Sequence, residues 1–151
     1  MTTVQENKTL QDNKDYTLFS WAPQEGLNPI DAVRADGVYV YDRDGKRYID
    51  FSSQLMNVNI GHNNEEVKQA IRDQLDQLTY VFPGIASEPR GALGKKLHDI
   101  APDNMQKTFF TNGGADAIEN AIKIARLVTG RQKIITRYRS YHGATYAAIT
   151  A

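Results

Sequence analysis

Apolar and polar positions follow two different periods along this chain. Gly37-Val38-Tyr39-Val40-Tyr41 alternates, and so does Arg47-Tyr48-Ile49-Asp50-Phe51. Alternation of period two predicts two strands. Between them, Asp42-Arg43-Asp44-Gly45-Lys46 carries an Asp-Gly step, which predicts a hairpin turn. Further on, Val67, Ala70, Ile71, Leu75 and Leu78 recur at helical spacing and make one apolar stripe. Asn64 can cap that helix, and Glu65 and Glu66 favour the positive end of its dipole. A second helix is expected from about Pro89 to Ile100, with Leu93, Leu97 and Ile100 inward and Pro102 ending it. Ser52–Ile60 is mixed, and Thr79–Ala86, which contains Pro83-Gly84, reads as a loop.

The segment from Lys107 to Gly143 changes the picture. Lys107–Thr111 reads as a short strand, followed by the pair Gly113-Gly114. A helix from about Ala115 to Val128 places Ala115, Ile118, Ala121, Ile122 and Ala125 on its buried face, and Gly130 stops it. Lys133–Arg137 reads as the next strand. Strand, helix, strand in this order implies a right-handed crossover and a parallel pair, the unit of an α/β sheet. The glycine turn aims backbone N–H groups and the positive end of a helix dipole at one point, a seat for an anion and most often a phosphate. There is no G-x-G-x-x-G and no Gly-Lys-Ser/Thr, so the dinucleotide and Walker readings fall away. A bare Gly-Gly serves equally well as an ordinary strand–helix turn. Downstream, Arg137-Tyr138-Arg139-Ser140-Tyr141-His142-Gly143 supplies a ring and an imidazole at the sheet edge where open α/β folds bind ligands. A phosphate seat followed by a stacking aromatic suggests a phosphorylated, ring-shaped cofactor. Arg137 and Arg139 could hold a carboxylate or sulfonate, or be a solvated strand end. His62 reads as a loop residue and His98 as a helix-surface residue. No metal site is expected.

Composition narrows the class. The chain has 151 residues, with 18 basic and 18 acidic, and no cysteine. About one domain's length is indicated. No basic surplus points to nucleic acid, and disulfide or thiolate metal sites are excluded. No run approaches the ~18 apolar residues of a membrane helix, and the polar N-terminus has no signal-peptide core. A soluble cytoplasmic protein is expected, with no nucleic acid and no membrane partner. Residues 1–15 read as a polar, flexible arm. Tyr16–Pro23 is apolar and aromatic. The chain stops at Thr150-Ala151 straight after an apolar stretch, so a portion of something longer is expected.

With these residues in place, the chain resembles the class III (omega-amino-acid) aminotransferases, pyridoxal 5′-phosphate (PLP) enzymes of fold type I. Four segments carry the resemblance. Asp36–Asp42 with Gly45 and Tyr48–Phe51 is similar to the family's N-terminal hairpin. Asn59-Ile60-Gly61-His62 is similar to its Gly-His turn. Thr111-Asn112-Gly113-Gly114-Ala115-Asp116-Ala117, with Glu119, Ala121, Lys123, Ala125 and Arg126, resembles its phosphate-loop helix. Tyr138–Thr145 resembles its ring-stacking segment. Gly113 stands where many relatives carry serine, and Asp116 where glutamate is commoner. Within the family, Phe51–Leu55, Gly113–Ala117 and Arg137–Thr145 look closest to the taurine–pyruvate aminotransferase type.

The resemblance implies an N-terminal part of the type I fold. A small-domain segment with the hairpin (16–78) would be followed by the beginning of the PLP-binding large α/β domain (79–151). It implies that Gly113, Gly114 and Ala115 hold the PLP phosphate, that Tyr141 stacks on the pyridine, and that His142 and Gly143 shape that wall. It implies a substrate pocket lined by Trp21, Leu55, Met56 and Phe82, with Tyr80–Pro83 reaching a neighbouring subunit in a homodimer. The partners would be a small-molecule amino donor and a 2-oxo acid. Transamination also needs a Schiff-base lysine and an acid paired with the pyridinium. In the family both lie downstream of the ring-stacking segment, so no catalytic residue is expected here and the chain alone is expected to be inactive. A second reading is a non-catalytic α/β module with a phosphate-binding turn. Few strands and a bare sheet face make a marginal or aggregation-prone fold the expectation for this chain by itself.

Overall fold

The computed structural model describes residues 8–151 and divides the chain into two compact units at Tyr80/Val81. The first unit holds helix α1 (Lys8–Tyr16), strands β1 (Ala32–Asp36), β2 (Tyr39–Asp42) and β3 (Arg47–Ile49), the one-turn element α2 (Ser53–Met56) and helix α3 (Glu65–Gln77). The second holds α4 (Glu88–Ile100), α5 (Gly114–Thr129) and a 3₁₀ turn (Ala148–Thr150).

The expected hairpin forms. β2 pairs antiparallel with β3, Val40 opposite Tyr48, and a third strand, β1, pairs antiparallel with β2. The two-residue loop between β1 and β2 begins at Gly37, whose φ of +53° is the conformation such a turn demands. Polar groups hold this sheet as much as apolar ones do. Arg34 lies 3.5 Å over the Tyr41 ring and Arg47 4.4 Å over Tyr39. The Tyr48 hydroxyl donates to Asp42 Oδ2 at 2.8 Å.

A polar staple closes the first unit. Gly37 and His62 exchange backbone hydrogen bonds (3.2 and 2.7 Å), and the His62 ring nitrogen Nε2 lies 2.7 Å from Asp50 Oδ2. The Asp50 side chain also accepts the Gln54 N–H at 3.2 Å. Ser53, Gln54, Leu55 and Met56 of α2 all adopt left-handed backbone, with φ between 49° and 65°. Such geometry costs roughly 1–2 kcal/mol per residue. Asn57 and Asn59 side chains brace it by donating to the Gln54 and Met56 carbonyls, each at 2.8 Å.

Helix α3 begins where expected, with the Asn64 side chain accepting the Val67 N–H at 3.1 Å. Its stripe, however, stays open: Val67, Ile71, Leu75 and Leu78 are about half exposed, and α3 stands against no other described element of its unit. On α4, Leu93 and Ile100 are likewise exposed and Leu97 half-buried. Ile122 and Ala148 are the buried apolar side chains among the described residues.

Three expectations need correction. Residues 1–7 lie outside the described residues, but Lys8–Tyr16 is a helix rather than an aperiodic arm. It buries no residue, and polar bonds support it, Gln11 to Asp15 (2.9 Å) and Thr17 Oγ1 to the Asn13 carbonyl (2.6 Å). The segments 107–111 and 133–137 are not strands, and the parallel pair does not form between them. A strand needs a hydrogen-bonded neighbour about 4.8 Å away, and neither segment has one. The sheet among the described residues is the antiparallel β1-β2-β3.

Burial raises the Asp50 carboxyl, but the hydrogen bonds from His62 and Gln54 outweigh it and hold the group below its ordinary value. A carboxylate held low contributes stability that is present above its unfolded value of about 3.9 and lost as pH falls through the folded value. Asp50→Asn is therefore expected to lower exchange protection of the Gly37 and His62 amides at pH 5 to 7. The difference from wild type should narrow as pH falls below about 3.9 and close once the folded carboxyl is protonated, as read by amide hydrogen exchange.

Candidate functional site

Helix α5 organises the second unit. Gly113 is its N-cap, in extended backbone (φ −176°, ψ 174°), and no side chain caps the helix start. The first-turn N–H groups of Gly114, Ala115 and Asp116 thus gather at the positive end of a 16-residue helix. A Cβ at Gly113 or Gly114 would meet nothing within 4 Å, so no neighbouring group crowds these two glycines. The Asp116 carboxylate stays at the helix start, its Oδ1 accepting from Asn120 Nδ2 at 3.2 Å and its Oδ2 from the Asn112 N–H at 3.4 Å. At the other end, Gly130 takes φ +67° and its N–H bonds the Arg126 carbonyl, the expected stop.

The ring-and-imidazole segment returns to the start of this helix. Gly143 is buried, with φ +134°. A Cβ built on it would lie 2.4 Å from Ala115 Cβ and 3.3 Å from Ala148 Cβ. The segment Ser140–Ala148 is therefore laid on the first turns of α5. Glu119, one turn beyond Ala115 on the same face, completes the contact. Its Oε1 accepts from Thr145 Oγ1 at 2.7 Å, Ala147 N–H at 2.8 Å and Ala148 N–H at 3.0 Å. These bonds, from Thr145 first and then the two amides, hold the Glu119 carboxyl below its ordinary value against the opposing effect of burial.

Of the residues expected to form a cofactor site, the structure brings Ala115 and Gly143 into contact and leaves Gly113 and Gly114 facing open space. Tyr141 is two-thirds exposed and His142 half-buried. A hollow of ≈ 420 Å³ runs beside them, lined by Ile118, Ile122, Ile134 and Ile135, with Arg137, Ser140 and His142 among its polar members. It is an apolar trough along the face of α5, not the amide cluster at its start. Arg139 leaves it, its guanidinium 5.5 Å from the Tyr138 ring centroid.

The expected pocket residues divide between the units. Trp21 (φ +60°) sits on a loop tied by Gln24 to the Phe19 and Ala22 carbonyls, and Leu55 and Met56 stand exposed on the strained α2 turn. In the second unit, Phe82 lies on a loop that Arg90 braces through the Pro83 and Ile85 carbonyls. Among the described residues, no group of three or more His, Asp and Glu gathers as a metal site.

Sequence reasoning missed the clamp at Glu119. The available signal was an acidic residue between Ala115 and Ile122 on the face that the helix buries.

The family model for aminotransferase class III matches residues 21–151. The chain belongs to that family. The solved taurine:2-oxoglutarate aminotransferase of Bifidobacterium kashiwanohense, in complex with PLP and glutamate, is 46% identical, with a TM-score of 0.89 over 98% of this chain and 33% of its own. An (S)-enantioselective omega-transaminase from Thermomicrobium roseum is 35% identical, with a TM-score of 0.88 over 95% of this chain and 34% of its own. Among curated relatives, an acetylornithine aminotransferase of Archaeoglobus fulgidus is 38% identical over 117 residues, 78% of this chain and 31% of that protein. The chain thus spans about a third of the length of these class III relatives. Its fold is the N-terminal part of the α/β fold type I that they share.

Gly143→Ala is expected to cost about 2 kcal/mol or more, because overpacking a filled space costs roughly 1–3 kcal/mol and φ +134° strains any side chain. Urea unfolding of the second unit measures the loss.

Proposed function

We propose that this chain is the N-terminal part of a PLP-dependent aminotransferase that moves an amino group from an omega-amino acid or amine to a 2-oxo acid. The observation that carries the reading is the uncapped, open start of α5 with Gly143 seated on Ala115 beside it. Amides free of side-chain caps, glycines that leave room for a bulky anion, and a helix dipole fit a phosphate. The neighbouring Tyr141 and His142 fit a planar ring.

In this reading the N–H groups of Gly114 and Ala115, with Gly113 giving clearance, hold the phosphate of PLP. Tyr141 stacks on the pyridine, and His142 and Gly143 shape that side. PLP supplies, when bound, the electron-withdrawing ring on which amino transfer depends. Trp21, Leu55, Met56 and Phe82 contact the donor. The taurine donor of the Bifidobacterium neighbour supports an omega-amino acid such as taurine or β-alanine. Its partner 2-oxoglutarate makes pyruvate one of two acceptors to be weighed. A cytoplasmic homodimer completes the proposal.

The 151 residues do not themselves carry the amine that bonds the cofactor. Lys123 lies nine residues into α5, about 13 Å along the helix axis from Gly114. Lys133 follows the far end of the same helix. With PLP equimolar to the chain, borohydride is thus expected to give only scattered, substoichiometric labelling of exposed amines, and a stoichiometric reduced adduct on a single lysine would overturn that part. Expression of the continuous gene product with taurine, β-alanine or 4-aminobutyrate against pyruvate and 2-oxoglutarate tests the reaction. No turnover with any pair would refute it.

The cup has its own test. Gly114 is the first helical residue and Gly113 is extended, so proline fits at 114 without breaking the helix. Gly114→Pro removes one N–H. It is expected to weaken PLP and inorganic phosphate binding about tenfold, as befits one bond to a charged group, with helicity by circular dichroism unchanged.

A further inference from the structure

Glu119 belongs to none of the groups assigned above to phosphate, ring or donor. Its place on α5 is nevertheless informative. Ala115, Glu119 and Ile122 follow one another at helical spacing along one face. The returning segment meets that face at each turn: Gly143 on Ala115, then Thr145, Ala147 and Ala148 on Glu119. One carboxylate oxygen collects all three of these donors. Bonds to an ionised acceptor are about twice as strong as neutral ones. Ala148, at the centre of the contact, is 1% exposed. Among the described elements of this unit, α5 and the 3₁₀ turn are the pair that lie against each other. Between Gly143 and Ala148 the chain has no strand partner and no disulfide.

We propose that Glu119 is a positioning residue, whose carboxylate clamps the Gly143–Ala148 segment along α5 and thereby sets how Tyr141 and His142 are presented beside the helix start. What Tyr141 and His142 face rests on the reading of the preceding subsection, whereas the clamp does not. Gly143 cannot shift toward α5, because Ala115 already fills the space. It is kept from drifting outward by the bonds that follow it. Loss of the carboxylate therefore frees the ring wall while leaving the amides of Gly114 and Ala115 in place.

The test compares Glu119→Ala, Glu119→Gln and Thr145→Val with wild type in the 151-residue chain. Hydrogen exchange over 141–151 is read first. Binding of PLP and of inorganic phosphate is read separately, with Gly114→Pro as the cup control. Glu119→Ala is expected to speed exchange over 141–151 about tenfold and to weaken PLP about tenfold with phosphate affinity unchanged. Glu119→Gln, which keeps a neutral acceptor at the same position, is expected to recover most of both, and Thr145→Val to show a smaller loss. Unchanged exchange over 141–151 in Glu119→Ala would overturn the clamp, and so would equal losses of PLP and phosphate, which would mean that the helix start itself had been damaged. If wild type binds neither PLP nor phosphate, the cofactor reading fails by itself, and the exchange result alone decides the clamp.

Discussion

Gly143 occupies a position that no other residue could share with Ala115. The space of its missing side chain is filled by the first turn of α5, and that close approach is the constraint from which the second unit follows. It fixes where the chain after residue 137 returns to the helix. It puts His142 at the rim of an apolar trough whose floor is Ile118 and Ile122. It also brings the next five residues over Glu119, where a single carboxylate takes up two backbone amides and a hydroxyl. A glycine fit is a short-range, steric interaction, whereas the carboxylate bonds are attractive and strengthened by charge. The first decides position, and the second keeps it.

The first unit is organised differently. Its sheet has no apolar layer among the described residues. Arginine–tyrosine stacking, the Asp42–Tyr48 bond and the Asp50–His62 staple serve instead. The staple matters beyond the sheet, because Asp50 also accepts the N–H of Gln54 at the head of the left-handed α2 turn. Four consecutive non-glycine residues in that conformation represent stored strain, and it is borne where Leu55 and Met56 are displayed.

Local signals were legible in the residues themselves. The Asp-Gly hairpin, the Asn64 cap and the start and stop of α5 depend on neighbours within a few positions, and each forms where expected. Helix α1 was hidden because side-chain to backbone bonds, rather than an apolar stripe, support it. Strand β1 was hidden because Ala32–Asp36 has little alternation and depends on Tyr39–Asp42 for its ladder. The two apolar runs at 107–111 and 133–137 carry strand composition but find no partner here, since a ladder is a property of two segments and not of one.

The amino-acid order by itself determined how many free amides α5 presents at its start, because Gly113 brings no capping side chain and Gly130 ends the helix. It also determined the family to which the chain belongs. Only the folded arrangement decided that Gly143 must sit on Ala115 and that Glu119 holds the segment beyond it. Those contacts join residues 26 to 29 positions apart. Helical periodicity can place Ala115 and Glu119 on one face, but it carries no information about which distant stretch of backbone that face will meet.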